Sequence, residues 1–460
     1  MIQKLPGAGR IPIKGNDGTM QTRIMIDGMN LALDKGTGVS TYARNLSYEL
    51  HNMGLGVDVL YGSRAYGGRD ALLREIDFFD PVTEKSKLER LYHQTTEMAR
   101  TFLWSSPKPI PRTGKVIAKT FSSRMPYADQ LWNARNLFGA ADAHFHLTGQ
   151  LKPVRLARPP EIMHWTYPLP LRTMGTKNIY TLHDLVPLRL PYTTLDPKKH
   201  YLKLMRKIVR QADHIITVSE TSRNDIVELL RCPEDKVTNT YQSVDIPAKL
   251  RNRPDDVVQR EVEGTFGLPY KGYFLFFGSL EPKKNVGRLI EAYLSSKVES
   301  PLVIVGAQAW KSENELRLIN DTTNRFLEQI GSLTITRDRI RRFDYAPFPL
   351  LVSLIKGAKA VTFPSLYEGF GLPILEAMLL GTPVITSKES STPEVAGDAA
   401  LLVDPYDPRA ISEAIIELDR NADLRAKLSA AGMKQAARYA PEIYRDRLRD
   451  VYSKVLDRPL

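Results

Sequence analysis

The chain predicts an α/β protein of two doubly wound, Rossmann-like domains facing a cleft. Three observations carry this. Its 460 residues exceed the length of one typical domain. Two segments, near residues 23 and 273, open alike, with an apolar strand, a loop and a helix. Short apolar runs then alternate with helical patterns, as parallel sheets with crossover helices require.

In order, "RIMIDGMNL" (23–31) reads as a strand, "DKGTG" (34–38) as a glycine loop and "VSTYARNLSYELHNMG" (39–54) as a helix stopped by Gly54. "VDVLYG" (57–62) is the next strand, whereas 80–135 shows no α/β alternation and reads as an insertion. "NIYTLHDLVP" (178–187) is a strand that ends at His183 and Asp184. "ADHIITVSETSRNDI" (212–226) is strand, Ser219 cap and helix. The polar, proline-bearing stretch 241–260 separates the halves. "YFLFFGSL" (273–280), "EPKKN", "VGRLIEAYLSS" (286–296) and "PLVIVG" (301–306) open the second half. The expected division is a flexible tail (1–21), a first domain (22–245), a second domain (246–435) and a terminal region (436–460) whose helix packs back on the first domain.

Composition is that of an ordinary globular protein, 42% hydrophobic and 25% charged. The single cysteine, Cys232, excludes an internal disulfide and favours a reducing compartment. There is no run of 18 apolar residues and no signal-peptide pattern at the N-terminus, so a cytoplasmic location is expected. Net charge is +12, but residues 100–210 alone hold 19 Lys/Arg against five Asp/Glu. Such a block suits an anionic partner. Within it, 100–135 interleaves seven basic residues with Phe102, Trp104, Phe121, Tyr127 and Trp132, and 197–210 is a basic helical candidate. Basic residues among aromatics suit an anionic membrane surface, here the inner face of the cytoplasmic membrane. No nucleic-acid-binding module is evident, so nucleic acid is not an expected partner.

The densest motif is "PSLYEGFGLPILEAMLLGTPVIT" (364–386). A strand runs into a loop in which Gly369 and Gly371 keep the backbone open. Pro373 then starts a helix that ends at Gly381. The amides of Phe370, Gly371 and Leu372 fall at the helix N-terminus, a natural anion site. Glu376 is placed to hold ribose hydroxyls and Glu368 to face an attached sugar. A lone glutamate is most often only solvated; the whole string points to a phosphate-linked ligand. In "FGSLEPKKN" (277–285), Gly278 ends a strand, Asn285 is a candidate helix cap, and Lys283 and Lys284 clamp a leaving diphosphate. Gly36 and Gly38 precede a helix N-terminus, a weaker anion signal.

The string "EGFGLPILEA" with "GTPVI" and "PEVAGDAALLVDP" resembles retaining glycosyltransferase family 4, of the GT-B fold, over roughly residues 22–435. The resemblance implies hexose transfer from a nucleotide-diphosphate sugar, with retention; the acceptor is expected to be a glycan or, from the basic and aromatic block, a lipid-diphosphate-linked one. It implies no metal and no cofactor, and the chain contains no Asp-x-Asp. It makes Glu368 and His183 the catalytic candidates. Gly38, Gly278, Ser279, Lys283, Lys284, Phe370, Gly371, Leu372 and Glu376 become the donor-binding set. Many members carry an arginine where this chain has Ser279. "RRFDYAPFPLL" (341–351) is similar to the segment that holds the nucleobase. The Gly306–Trp310 stretch and "GSLEPKKN" resemble members that use GDP-mannose. A non-catalytic sugar-nucleotide-binding or scaffold protein of the same fold is the alternative.

Overall fold

A computed structural model describes residues 21–32, 38–65, 70–79, 104–116, 125–308, 325–330 and 333–460, and every statement below concerns those residues. The tail through residue 20, most of the loop 34–38, Phe102, Phe121, Trp310 and much of the 80–135 insertion lie outside them.

The first sheet is built from β1 (Arg23–Asp27), β2 (Gly56–Tyr61), β3 (Lys108–Pro109), β4 (Gln130–Asn133), β5 (Ile162–Trp165), β6 (Lys177–Thr181), β7 (His214–Thr217) and β8 (Val237–Asn239). Its order is β8-β7-β6-β5-β1-β2-β4-β3, parallel except at the short edge pair β3–β4. The second sheet holds β9 (Phe274–Phe277), β10 (Leu302–Val305), β11 (Ile340–Phe343), β12 (Ala360–Phe363), β13 (Val384–Ser387) and β14 (Leu401–Val403), ordered β11-β10-β9-β12-β13-β14 and parallel throughout. β9, β10, β12 and β13 are buried at every position. Helices cover both faces of such sheets, so their strands read as continuous apolar runs.

The helices used below are α1 (Gly38–Asn52), α2 (Ala71–Phe79), α3 (Leu137–Thr148), α4 (Lys198–Gln211), α5 (Glu220–Leu230), α6 (Val286–Ser296), α7 (Leu372–Leu379), α8 (Thr392–Ala396) and α9 (Pro441–Leu456). α9 returns to the first domain. Its Arg445 pairs with Glu49 of α1 at 2.7 Å, and the Tyr452 hydroxyl lies 2.7 Å from Nδ1 of buried His164 in β5. Nε2 of His164 lies 2.7 Å from the Thr181 hydroxyl, which is 2.9 Å from Tyr42 Oη in α1. A buried polar chain therefore ties the terminal helix to the strand that leads to His183.

Parallel sheets place ligand sites beyond the carboxyl ends of their strands. Here the loops after β6 and β12 meet. A Cβ on Gly369 would stand 2.6 Å from the His183 carbonyl oxygen, so only glycine fits this approach.

Candidate active site

On the second domain's side, β12 runs into the loop 364–371 and then α7. Gly371, at φ 113°, occupies the N-cap position without a capping side chain. The N–H groups of Phe370, Gly371 and Leu372 have no hydrogen-bond acceptor among the described residues. They are the free donors expected at a helix start. Two serines hold the loop. Ser390 Oγ accepts from the Glu368 N–H at 2.9 Å, and the Ser391 hydroxyl lies 3.0 and 2.8 Å from the carbonyl oxygens of Glu368 and Phe370.

Glu368 is buried, and its Oε1 accepts from Lys284 Nζ at 2.7 Å. That ammonium also sits 4.8 Å from the centre of the Phe363 ring. Lys283 reaches across the cleft to Asp184 of the first domain, at 3.8 Å. Burial alone would depress the Lys283 pKa. The carboxylates of Asp184, Glu368 and Glu281 outweigh it and hold the ammonium above its ordinary range. Lys283 is therefore a cation at neutral pH. Glu376 has no such partner among the described residues. Enclosure in α7 pushes its pKa up to about 7, because the charged form is poorly solvated there.

On the first domain's side, His183 Nε2 lies 2.9 Å from the Thr166 carbonyl oxygen. A carbonyl only accepts, so Nε2 carries the proton and Nδ1 is left as an acceptor. Burial lowers the His183 pKa, which keeps the ring neutral. The Tyr42 ring stands edge-on to it, with centroids 4.8 Å apart. Thr166 is itself held by Asp27, at the end of β1, whose Oδ2 accepts from both its N–H and its hydroxyl. Burial raises the Asp27 pKa to about 6.

The structure thus brings Glu368, Lys283, Lys284 and the His183–Asp184 turn together. Gly278 lies nearby at the end of β9, and a Cβ on Gly306 would sit 1.8 Å from its carbonyl oxygen. The expected helix cap at Asn285 needs correction. Asn285 occupies the N-cap position of α6 but does not cap it. Its φ is 63°, and its Nδ2 is spent on the carbonyls of Pro364 and Pro405, at 3.0 and 2.6 Å. It ties two loops together instead. Ser279 is exposed, and its hydroxyl donates to Glu281 at 2.8 Å. The Phe370 ring lies in the core beside Tyr241 and Tyr439, so only its backbone is available to a ligand. Gly38 is the exposed first residue of α1, with nothing within 4 Å of an added Cβ. Trp132 is buried in β4 and so forms no membrane-facing surface, whereas Tyr127 is half-buried and stacks on exposed His51, and Trp104 is 53% exposed.

Sequence reasoning gave no role to the residues that close the cleft. Glu394 of α8 accepts from the N–H groups of Glu220 and Thr221 at the start of α5, at 2.7 and 3.3 Å. Tyr367 hydrogen-bonds Asp225, which is also paired with Arg189. The Ser222 hydroxyl lies 2.9 Å from the His183 carbonyl oxygen and 3.3 Å from that of Gly369. The only local signal was adjacency: Tyr367 precedes Glu368, Asp184 follows His183, and Glu394 stands in "PEVAGDAALLVDP".

Two parallel-sheet domains with free amides, paired lysines and carboxylates between them define a GT-B glycosyltransferase. Residues 36–246 match the family described as "Glycosyltransferase Family 4", and 268–435 match "Glycosyl transferases group 1". The chain belongs to glycosyltransferase family 4. It is 32% identical over 274 residues to O-antigen chain mannosyltransferase B of Escherichia coli, covering 57% of this chain and 67% of that one. It is 26% identical over 281 residues to the serotype-specific mannosyltransferase WbdA of Escherichia coli, covering 60% of this chain but only 33% of that longer protein. Among solved structures, sucrose-phosphate synthase from Thermosynechococcus elongatus superposes with a TM-score of 0.62 at 17% identity, over 95% of this chain and 100% of that one. At that identity the likeness speaks for the fold alone.

Proposed function

We propose that the chain is a retaining hexosyltransferase that moves mannose from GDP-mannose to a glycan or lipid-linked acceptor in surface-polysaccharide synthesis. One observation carries the reading: two lysines, each facing a carboxylate, converge with three unbonded amides at the loop before α7. That is the apparatus for a leaving diphosphate, whose charge grows as the glycosidic bond breaks. The mannosyltransferase names of the relatives support the choice of sugar.

In this reading the anomeric carbon loses its bond to the diphosphate oxygen and gains one to the acceptor hydroxyl oxygen on the same face. The acceptor's proton passes to the departing phosphate. Lys283 and Lys284 stabilise the departing charge, so no metal or cofactor is needed. Glu376, in its ionised form, accepts from the ribose hydroxyls. His183 is neutral, with Nε2–H committed to Thr166, and offers Nδ1 to a sugar hydroxyl. It positions the sugar and does not supply a proton. Glu368 is the carboxylate beside the sugar; the enzyme contributes mainly orientation and electrostatics.

Melting curves with GDP, UDP, dTDP and ADP, and then with their sugars, test this. A ligand at 100 times its dissociation constant adds about 2.7 kcal/mol. Stabilisation by GDP and turnover of GDP-mannose are expected. Stabilisation by UDP alone would keep the enzyme class and replace the donor. No response to any nucleotide would favour the scaffold alternative.

A further inference from the structure

A second concave site lies on the first domain, away from Glu368. It is a cavity of about 350 Å³ at the carboxyl ends of β2 and β4. That volume lies in the range of small-molecule sites, roughly 300–1,000 Å³. Among the described residues its lining contains three basic side chains, Arg74 of α2, Lys108 of β3 and Arg135, and no Asp or Glu. Trp104, Ser105, Ser106 and Asn133 complete the polar and aromatic part of the wall.

Two features mark it as built for an anion. Arg74 has a buried Nε with no hydrogen-bond partner, an uncompensated cost unless a ligand supplies an acceptor. Trp104 is 53% exposed, yet its ring is backed by the Arg155 guanidinium at 4.3 Å, which holds it as a fixed platform. The first turn of α3, directly after Arg135, adds the positive end of a helix.

Position gives the cavity its meaning. His183 follows β6, and in the sheet order β2 lies three strands from β6 and β4 lies four. At about 4.8 Å per strand, the cavity is roughly 14–19 Å from His183 along one sheet edge. An acceptor with its reacting hydroxyl in the cleft, extended along that edge, would place its far end here.

We propose that this cavity binds the phosphate-bearing end of the acceptor, a diphosphate ester, through Arg74, Lys108 and Arg135. The proposal rests on the transferase reading and adds the acceptor's charge and reach. The same phosphate-ester chemistry is offered by bilayer headgroups, so the test separates the two sources.

The probe is inorganic pyrophosphate, titrated calorimetrically into the full chain with and without saturating GDP to occupy the cleft. GDP-resistant binding is expected in the parent chain and should weaken at least tenfold in Arg74→Gln/Lys108→Gln. The charge-keeping pair Arg74→Lys/Lys108→Arg should bind within about threefold of the parent, which separates loss of charge from loss of fold. Flotation on phosphatidylcholine vesicles containing phosphatidylglycerol should be the same for the parent and the Gln variant. Equal pyrophosphate binding in the Gln variant, or no GDP-resistant binding in the parent, overturns the proposal. Flotation lost in the Gln variant, with pyrophosphate binding kept, overturns it in favour of a bilayer contact. If GDP itself does not bind, the donor assignment fails, while the parent-minus-variant difference still reads the cavity.

Discussion

On the second domain's edge, the cations are matched within the protein. Lys284 lies 2.7 Å from Glu368, and Lys283 is 3.8 Å from Asp184. On the first domain's edge, Arg74 and Lys108 line a cavity with no carboxylate among the described residues of its wall. The difference fits two tasks. A site that must stabilise charge appearing during a reaction needs its dipoles and ions fixed beforehand, and buried pairs fix them. A site that only anchors a charged end gains from cations left for the ligand. The donor edge should therefore control turnover and the acceptor edge affinity.

The largest expected effect tests the donor edge. Glu368→Gln should cut donor turnover by about 10²–10³-fold, the scale of losing one preorganised electrostatic partner. Nucleotide affinity should stay within a few-fold, as read by calorimetry. Full activity in that variant would remove Glu368 from the chemistry and collapse the contrast between the edges. Gly369→Ala comes next. The new Cβ would meet the His183 carbonyl at 2.6 Å, and backbone cannot yield as a flexible side chain can. Pushing the two loops apart should lower kcat/KM about 100-fold, since misplacement of about 1 Å carries that penalty. Unchanged kinetics would mean that the loops are not in register during catalysis.

A smaller effect sharpens the comparison through pH. Glu376 has a pKa of about 7 in the folded chain. If its ionised form accepts from the ribose, nucleotide affinity rises with pH, by up to about tenfold per unit below 7, and levels off above it. Stability of the unliganded chain runs the other way. A carboxyl whose pKa is raised on folding contributes stability that is complete below the unfolded value, near 4.5, and lost as pH rises through 7. Glu376→Gln should flatten both profiles. The smallest effect lies far from either edge. Tyr452→Phe leaves Nδ1 of buried His164 without its 2.7 Å partner and should cost about 1–3 kcal/mol in urea unfolding. Turnover at low temperature should be unaltered. A matching loss of turnover would mean that the buried chain through Thr181 and Tyr42 also sets His183.

Much of this was legible without coordinates. β9, β10 and β12 appear as apolar runs because both faces of a parallel sheet are covered, and α7 announces itself through Gly371, Pro373 and Gly381. Glu368, Glu376 and the two lysines could be named because each stands in a compact motif. Asn285 misled because an asparagine before a helix usually caps it; here the left-handed backbone and two distant carbonyls claim its amide. Trp132 misled because aromatics among lysines suggest a surface, whereas strand β4 turns it inward.

By itself, then, the sequence determined the two α/β domains, the loop before α7 and the residues proposed to meet a diphosphate. Those features follow from local rules of apolar period, glycine freedom and helix starts. Only the tertiary structure decided which charges answer each other. Lys284 finds Glu368 84 residues away, Glu394 caps a helix 174 residues upstream, and Tyr452 reaches His164 across 288. Local sequence carries no record of such distances, because each pairing exists only after two sheets have packed and their loops have closed on one another.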